Sequence, residues 1–342
     1  MDFALFGAGF WARYQLAGWN EIPGARCVAL YNRTRPKAES LAAEFGIDPA
    51  NVYDDPDALL DHHRPDFVDI VTDVDSHARF VELAASRHLP VICQKPLTPT
   101  LSDARRLTAL CAAENVPFFV HENWRWQSPL RAFKKVLDSG QLGTLVRARI
   151  DYANSFPVFD NQPFLKELDQ FILTDIGTHI LDTARFLFGE AESLYCQTRQ
   201  IHPDIRGEDV ATVLMRMRPD GLTLTANMSY ASKWEFDRFP ETFVAVEGTE
   251  GGASLTPGHS INITSDGHTS SFLAPPTPYP WADPEYALIH ASIVDCHRDL
   301  LRALQDGTAP ETTAADNLKT LELVFAAYDS AASGQPVAIP AA

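Results

Sequence analysis

The five cysteines, Cys27, Cys93, Cys111, Cys196 and Cys296, contain no C-x-x-C pair and are odd in number. That argues against a zinc ribbon and against a complete disulfide framework. They read as free, mostly buried thiols, and no metal site is expected. Long apolar runs are also missing. A membrane helix needs roughly 20 apolar residues, and even FILTDIGTHILDTARFLFG (171–189) carries two Asp, a His and an Arg. The opening MDFALFGAGF has an acid at position 2 and no cationic start, which reads as a chain without an export signal and therefore cytoplasmic. Basic residues are scarce, 28 against 45 acidic ones. The resulting formal charge of -17 disfavours nucleic acid and anionic membranes as partners. There is no internal repeat and no low-complexity segment. What is present, 45% hydrophobic residues with 10% aromatics over 342 positions, suits a globular protein of two domains.

In the first third, short apolar runs alternate with helix-like segments. FALFGAG, CVALYN, DFVDIVT, PVICQK and PFFVHE read as strands. WARYQLAGW, RPKAESLAAEF, SHARFVELAASR and SDARRLTALCAAE read as helices between them. Such a series predicts an α/β unit with a doubly wound parallel sheet. The continuous hydrophobicity of the strands agrees, since strands buried on both faces have no wet side. The expected boundaries are 1–122 for this unit and 123–342 for the next. After Glu122 the pattern becomes α+β: SPLRAFKKVLDSG as a helix, RARIDY as a strand, and LDQFILTDIGTHILDTARFLFG as one long helix. DVATVLMRM and LTLTANMSY form a hairpin through RPDG, within a largely antiparallel sheet. LAPPTPYPWADP is too proline-rich for regular structure, and two helices near 285–305 and 311–331 close the chain.

Three stretches carry chemistry. FALFGAGFWA gives strand, then Gly7-Ala-Gly9-Phe10-Trp11-Ala12, then helix, which places a G-x-G-x-x-A turn where a dinucleotide pyrophosphate would meet a helix N-terminus. The second strand ends in Tyr31-Asn32-Arg33-Thr34, without the acid that commonly holds the ribose of NAD. Arg33 and Thr34 could grip a 2′-phosphate and Asn32 could bind bare ribose hydroxyls, so NADP is slightly favoured on physics alone, with a merely solvated Arg33 as the alternative. Lys95 ends a later parallel strand, PVICQK, and so points at the crevice beyond the carboxyl ends of the strands, where Thr72, His77 and Gln94 are also expected to meet the cofactor. A lysine that only snorkels from the strand end is the plainer alternative, which the stiffening Pro96 weakens. Within the long helix, Asp175 and His179 stand at i and i+4 on one face. Gly177 between them suggests a close neighbour, since glycine in a helix interior costs about 1 kcal/mol against alanine.

GAGFWA, the strand-end Q-K-P at 94–96 and D-x-G-x-H at 175–179 together resemble the Gfo/Idh/MocA family of pyridine-nucleotide sugar and polyol oxidoreductases over essentially the whole length. The resemblance implies an N-terminal Rossmann domain and a C-terminal domain built on an open, largely antiparallel mixed sheet between about 145 and 275, whose outer face makes the contact of a homodimer or homotetramer. It implies NAD as cofactor, with NADP possible from Asn32-Arg33-Thr34, and oxidation of a sugar, an aldose at its anomeric hydroxyl. Lys95 would be the catalytic lysine, Asp175 the substrate-orienting carboxylate and His179 the acid/base. Gln94 departs from the family's usual glutamate and removes one negative charge beside Lys95. In His121-Glu-Asn123-Trp124-Arg125-Trp126, at the expected domain junction, Asn123 and Arg125 could donate to sugar hydroxyls, while Trp126 packs in the core. His77, in TDVDSH, stands where the family more often has T-P-N-x-x-H. An inositol-like dehydrogenase, an NAD-dependent glycosidase and a non-catalytic sugar sensor are the alternatives; the presence of Lys95, Asp175 and His179 argues against the last.

Overall fold

A computed structural model describes residues 1–341. They form two compact units. One holds Met1–Asn123, Tyr279–Ala282 and Ile293–Lys319, and the other Trp124–Pro278, Asp283–Ser292 and the residues from Thr320 on.

In the first unit six parallel strands, β1 (Asp2–Phe6), β2 (Arg26–Tyr31), β3 (Val52–Tyr53), β4 (Phe67–Ile70), β5 (Val91–Gln94) and β6 (Phe118–His121), lie in the order β3-β2-β1-β4-β5-β6. Helices α1 (Phe10–Asn20), α2 (Arg35–Phe45), α3 (Pro56–His63), α4 (Val74–Ser86) and α5 (Leu101–Ala113) connect them. The doubly wound order reverses between β1 and β4, which makes the carboxyl ends of those strands the place for a ligand. Every residue of β4 and all but the first of β1 are buried, as the continuous apolar runs require. Gly7 turns the chain off β1 with φ +117°, and a Cβ there would lie 2.3 Å from the Val71 carbonyl oxygen, so no other residue fits. The sequence reading missed β3, only two residues long, and α3.

Against the expected single cut at 122/123, the first segment runs to Asn123, and residues 279–282 and 293–319 also group with this unit. The reason is packing on α1. Gly18 leaves room for Ile293, whose Cγ2 would lie 2.7 Å from a Cβ at position 18, and His297 stacks on Trp19 with ring centroids 3.8 Å apart and 10° between planes.

The second unit contains α6 (Ser128–Asp138), β7 (Leu145–Ala153), α7 (Val158–Asn161), α8 (Ile172–Asp175), α9 (Gly177–Phe188), β8 (Ala191–Arg199), β9 (Val210–Met217), β10 (Leu222–Ser229), β11 (Phe243–Gly248), β12 (Gly251–Thr256), β13 (Ser260–Ser265) and β14 (His268–Leu273). Helix α10 (Ala287–Asp306) and helix α11 (Ala314–Ser333) each begin in one unit and end in the other, and β15 (Val337–Ala338) closes the chain. The nine strands run β14-β13-β12-β11-β7-β10-β9-β8-β15, with β7 and β10 parallel and every other pair antiparallel. In β9, buried Ala211, Val213, Met215 and Met217 alternate with exposed Thr212, Leu214 and Arg216, which gives the sheet one apolar and one open face. Helices α8 and α9 lie against β7, β9 and β10. The expected long helix is two, joined at Ile176, and residues 168–171 lie outside both.

Candidate active site

The first unit gathers the nucleotide-turn residues. Gly9 is the N-cap of α1, which has no side-chain cap and no acid in its first turn, so the helix dipole and its N–H groups favour an anion. A Cβ on Gly9 would meet no atom within 4 Å, unlike that on Gly7. The small residue therefore keeps backbone N–H groups approachable, which fits the pyrophosphate of a dinucleotide. Phe10, 42% exposed, and the half-buried Trp11 sit at the head of the same helix. Asn32 braces the turn: its Oδ1 accepts from the Ala8 N–H (3.1 Å) and its amide donates to the Thr34 carbonyl (2.9 Å). A carboxamide has a second lone pair and a second N–H for a ribose. Arg33 and Thr34 are exposed beside it.

Lys95 follows the last residue of β5 and is half-buried. Behind it runs a buried polar chain. The Gln94 amide donates to Gln15 Oε1 (3.0 Å) and lies 3.1 Å from His121 Nδ1. Gln15 in turn donates to Asp69 (3.2 Å), which also accepts from the Trp19 indole (2.7 Å). Burial raises the Asp69 carboxyl to about 7, opposed by the Trp19 and Gln15 donors, and burial with the nearby Asp69 pushes the Cys93 thiol well up. The amide of Gln94 is thus engaged inside the protein.

His77, expected to meet the cofactor, is turned inward. Its ring is 1% exposed in α4, with Nδ1 at 3.2 Å from both the Pro96 and Leu97 carbonyl oxygens and Nε2 at 3.2 Å from that of Thr72. Burial lowers its pKa. His77 therefore staples the segment after Lys95 to the turn after β4, where the half-buried Thr72 hydroxyl accepts from Ser76 (2.8 Å). Asn123, 7% exposed, ends this unit's first segment.

The second unit gathers Asp175 and His179, one turn apart on either side of the Ile176 joint. Asp175 is half-buried and His179 is 4% exposed. Ile172, Ile176 and Ile180 anchor the buried stripe, as their spacing predicts. The close neighbour expected at Gly177 is not what fixes this segment: a Cβ there would meet only Leu173 and Ile172, from 3.5 Å outward. The lock lies upstream. Glu208 accepts from the Phe171 and Leu173 N–H groups (3.2 and 3.1 Å) and from the Tyr328 hydroxyl (2.8 Å), capping α8. Gly207 makes room, since a Cβ there would lie 2.7 Å from the Leu168 carbonyl oxygen. Nothing in the sequence singled out Glu208 or Tyr328, because a carboxylate that caps a distant helix leaves no local pattern.

Arg125, expected to donate to sugar hydroxyls, pairs inside the protein. Its guanidinium is buried and forks onto Asp182, which is fully buried in α9, with Nε to Oδ2 at 2.7 Å. Trp124, 2% exposed, stacks on His179 with centroids 4.3 Å apart, whereas Trp126 is half-buried under Arg131. Tyr152 and Tyr230 lie edge to face 6.0 Å apart, and burial raises both hydroxyls, with the charge of Asp175 pushing the same way. Among the described residues no group of three or more His, Cys, Asp or Glu is placed to hold a metal ion, and no helix is long and apolar enough to cross a membrane.

Comparison with known proteins places these sites in context. Residues 1–122 match the oxidoreductase family with an NAD-binding Rossmann fold, and residues 130–254 match the GFO/IDH/MocA C-terminal domain. D-apiose dehydrogenase of Paraburkholderia graminis is 41% identical over 98% of this chain and 88% of its own, and that of Rhizobium rhizogenes 39% over 99% and 97%. An oxidoreductase from Agrobacterium radiobacter, crystallised with NAD+, L-tartaric acid and magnesium, superposes with TM-score 0.96 at 38% identity, covering 99% of this chain and 98% of that one.

Proposed function

Because the chain belongs to the Gfo/Idh/MocA family of NAD-binding oxidoreductases, we propose that it oxidises D-apiose at the anomeric hydroxyl to the lactone. The observation that carries this reading is 39–41% identity, over nearly the whole chain, with two D-apiose dehydrogenases, in a sequence that contains Lys95, Asp175 and His179. Bound NAD supplies the hydride acceptor. His179 takes the hydroxyl proton, a task suited to imidazole, whose ordinary pKa of about 6.5 lies near working pH. The Lys95 ammonium donates to the same oxygen and stabilises the developing alkoxide. Asp175 accepts from a neighbouring hydroxyl and orients the sugar. Mixing the protein with NAD and a panel of free aldoses, lactols and inositols tests the assignment. Reduced nicotinamide should form fastest with D-apiose; a faster inositol or lactol would replace the substrate, and no reduction with any of them would end the dehydrogenase reading.

Arg33 sets the preference between cofactors in this reading. Arg33→Ala should weaken NADP roughly ten- to a hundredfold more than NAD, because a lost charged contact to phosphate is worth roughly 1.5–3 kcal/mol; equal losses would show that it does not discriminate. The free thiols suit a reducing cytoplasm as the place of action. The open face of the nine-stranded sheet, with Thr212, Leu214, Arg216 and Arg147 exposed, makes the contact of a homodimer or homotetramer. Light scattering should give a multiple of the 37.8 kDa chain, and Leu214→Asp should lower it; a monomer at micromolar concentration would refute the contact.

A further inference from the structure

Trp124 and Arg125 are consecutive in a single 3-10 turn, Trp124–Trp126, and they reach two positions of α9 that lie one turn apart. The indole covers the face of the His179 imidazole, 4.3 Å between centroids and 23° between planes. The guanidinium forks onto Asp182. Neither group is loosely held. The Trp124 indole N–H donates to Thr242 Oγ1 (2.9 Å), and its ring meets Tyr152 edge to face at 5.6 Å. Asp182 also accepts from the Thr320 hydroxyl (3.1 Å), which itself accepts from Arg185 (2.8 Å).

We propose that Trp124, held by the Arg125–Asp182 pair, is a positioning residue that fixes the plane of the His179 imidazole; this rests on His179 being the acid/base of the proposed reaction. The physical reason is torsional. The terminal torsion of histidine is broad and two-fold, so the groups around the ring choose its plane, and the indole covers one whole face of it. Both imidazole nitrogens lie in that plane, so an indole on the ring face restricts rotation without competing for hydrogen bonds at the ring edge. A base displaced by a fraction of an ångström or turned from its proton loses much of its effect. The ion pair supplies orientation more than stability, since a buried pair of this kind is often no more stabilising than apolar residues of equal volume.

The test uses the full chain with NAD and D-apiose, together with carbon-13 labelled histidine. Trp124→Leu should shift the His179 ring resonances, assigned through His179→Gln, by removing the ring current. It should lower kcat about tenfold while leaving the Kd for NAD unchanged. Trp124→Phe should recover most of kcat. A Trp124→Leu variant that moves the ring resonances yet keeps the parent kcat would overturn the proposal, as would a kcat loss that Trp124→Phe does not recover. If Trp124→Leu fails to fold, Arg125→Lys carries the test, because lysine keeps the charge without the planar fork: kcat should fall with NAD affinity retained, and the parent kcat would overturn the role. His179→Gln with the parent kcat would remove the acid/base reading itself, and the positioning role with it, even if the ring-current shift remained.

Discussion

Asp69 lies at the centre of β4 with no exposed surface, and burial holds its carboxyl at about 7 against an ordinary 3.8. The folded protein therefore keeps a proton that the unfolded chain has released between about pH 4 and 7. Stability from this group is full below about pH 4 and is lost as pH rises through 7, by up to about 4 kcal/mol. Asp69→Asn should flatten that slope in urea unfolding at a series of pH values; an unchanged slope would show that another group carries it. His297 opposes it. Burial and the neighbouring His121 hold its pKa well below 6.5, so the unfolded chain takes up a proton that the fold refuses, and stability falls as pH drops below about 6.5. Neither group was legible as titrating against its surroundings. Residue type showed that Lys95, Asp175 and His179 could do chemistry, but not which way a side chain faces. His77 and Arg125 read as ligand contacts for that reason, and turned inward to backbone carbonyls and to Asp182.

At the scale of elements, the segment that carries Asp175 is set by its N-terminal end. Three donors converge on the one carboxylate of Glu208, two backbone N–H groups at the start of α8 and the Tyr328 hydroxyl. Glu208→Gln turns an amide N–H toward one of those donors and leaves it unsatisfied. Chemical denaturation should show a loss of about 1–3 kcal/mol, with kcat lowered and NAD affinity retained; full stability and kcat would show that α8 needs no such cap. The periodicity of Ile172, Ile176 and Ile180 gave the buried face correctly, because apolar spacing reports burial directly. It could not show the joint at Ile176, because the apolar stripe continues across it. The five longer strands of the first unit were legible because each holds an apolar run, whereas the two-residue β3 is too short to show one, and β14, HTSSFL, is exposed at every position and offers no alternation to read.

Across the molecule, the residues proposed for the cofactor and the one proposed to take the proton fall on different units of the chain. Gly7, Gly9, Asn32 and Lys95 belong to the first, and Trp124, Asp175, His179 and Asp182 to the second. Sequence order made this division visible, since a βαβ series ends where the α+β pattern begins. It hid the return of residues 293–319 to the first unit, because a helix does not announce which sheet it covers. The division has a kinetic consequence in the proposed reaction. A substitution in the second unit that removes only the proton acceptor should leave dinucleotide binding alone. His179→Ala should therefore lower kcat by roughly 10²–10⁴ while the Kd for NAD, followed by calorimetry, stays within about threefold, a change below 1 kcal/mol. Lys95→Ala should likewise abolish turnover, because the ammonium acts on charge that develops only as the hydroxyl is oxidised. If His179→Ala instead weakened NAD as strongly as it slowed turnover, the imidazole would be serving the cofactor, and the assignment of His179 as the base would fall.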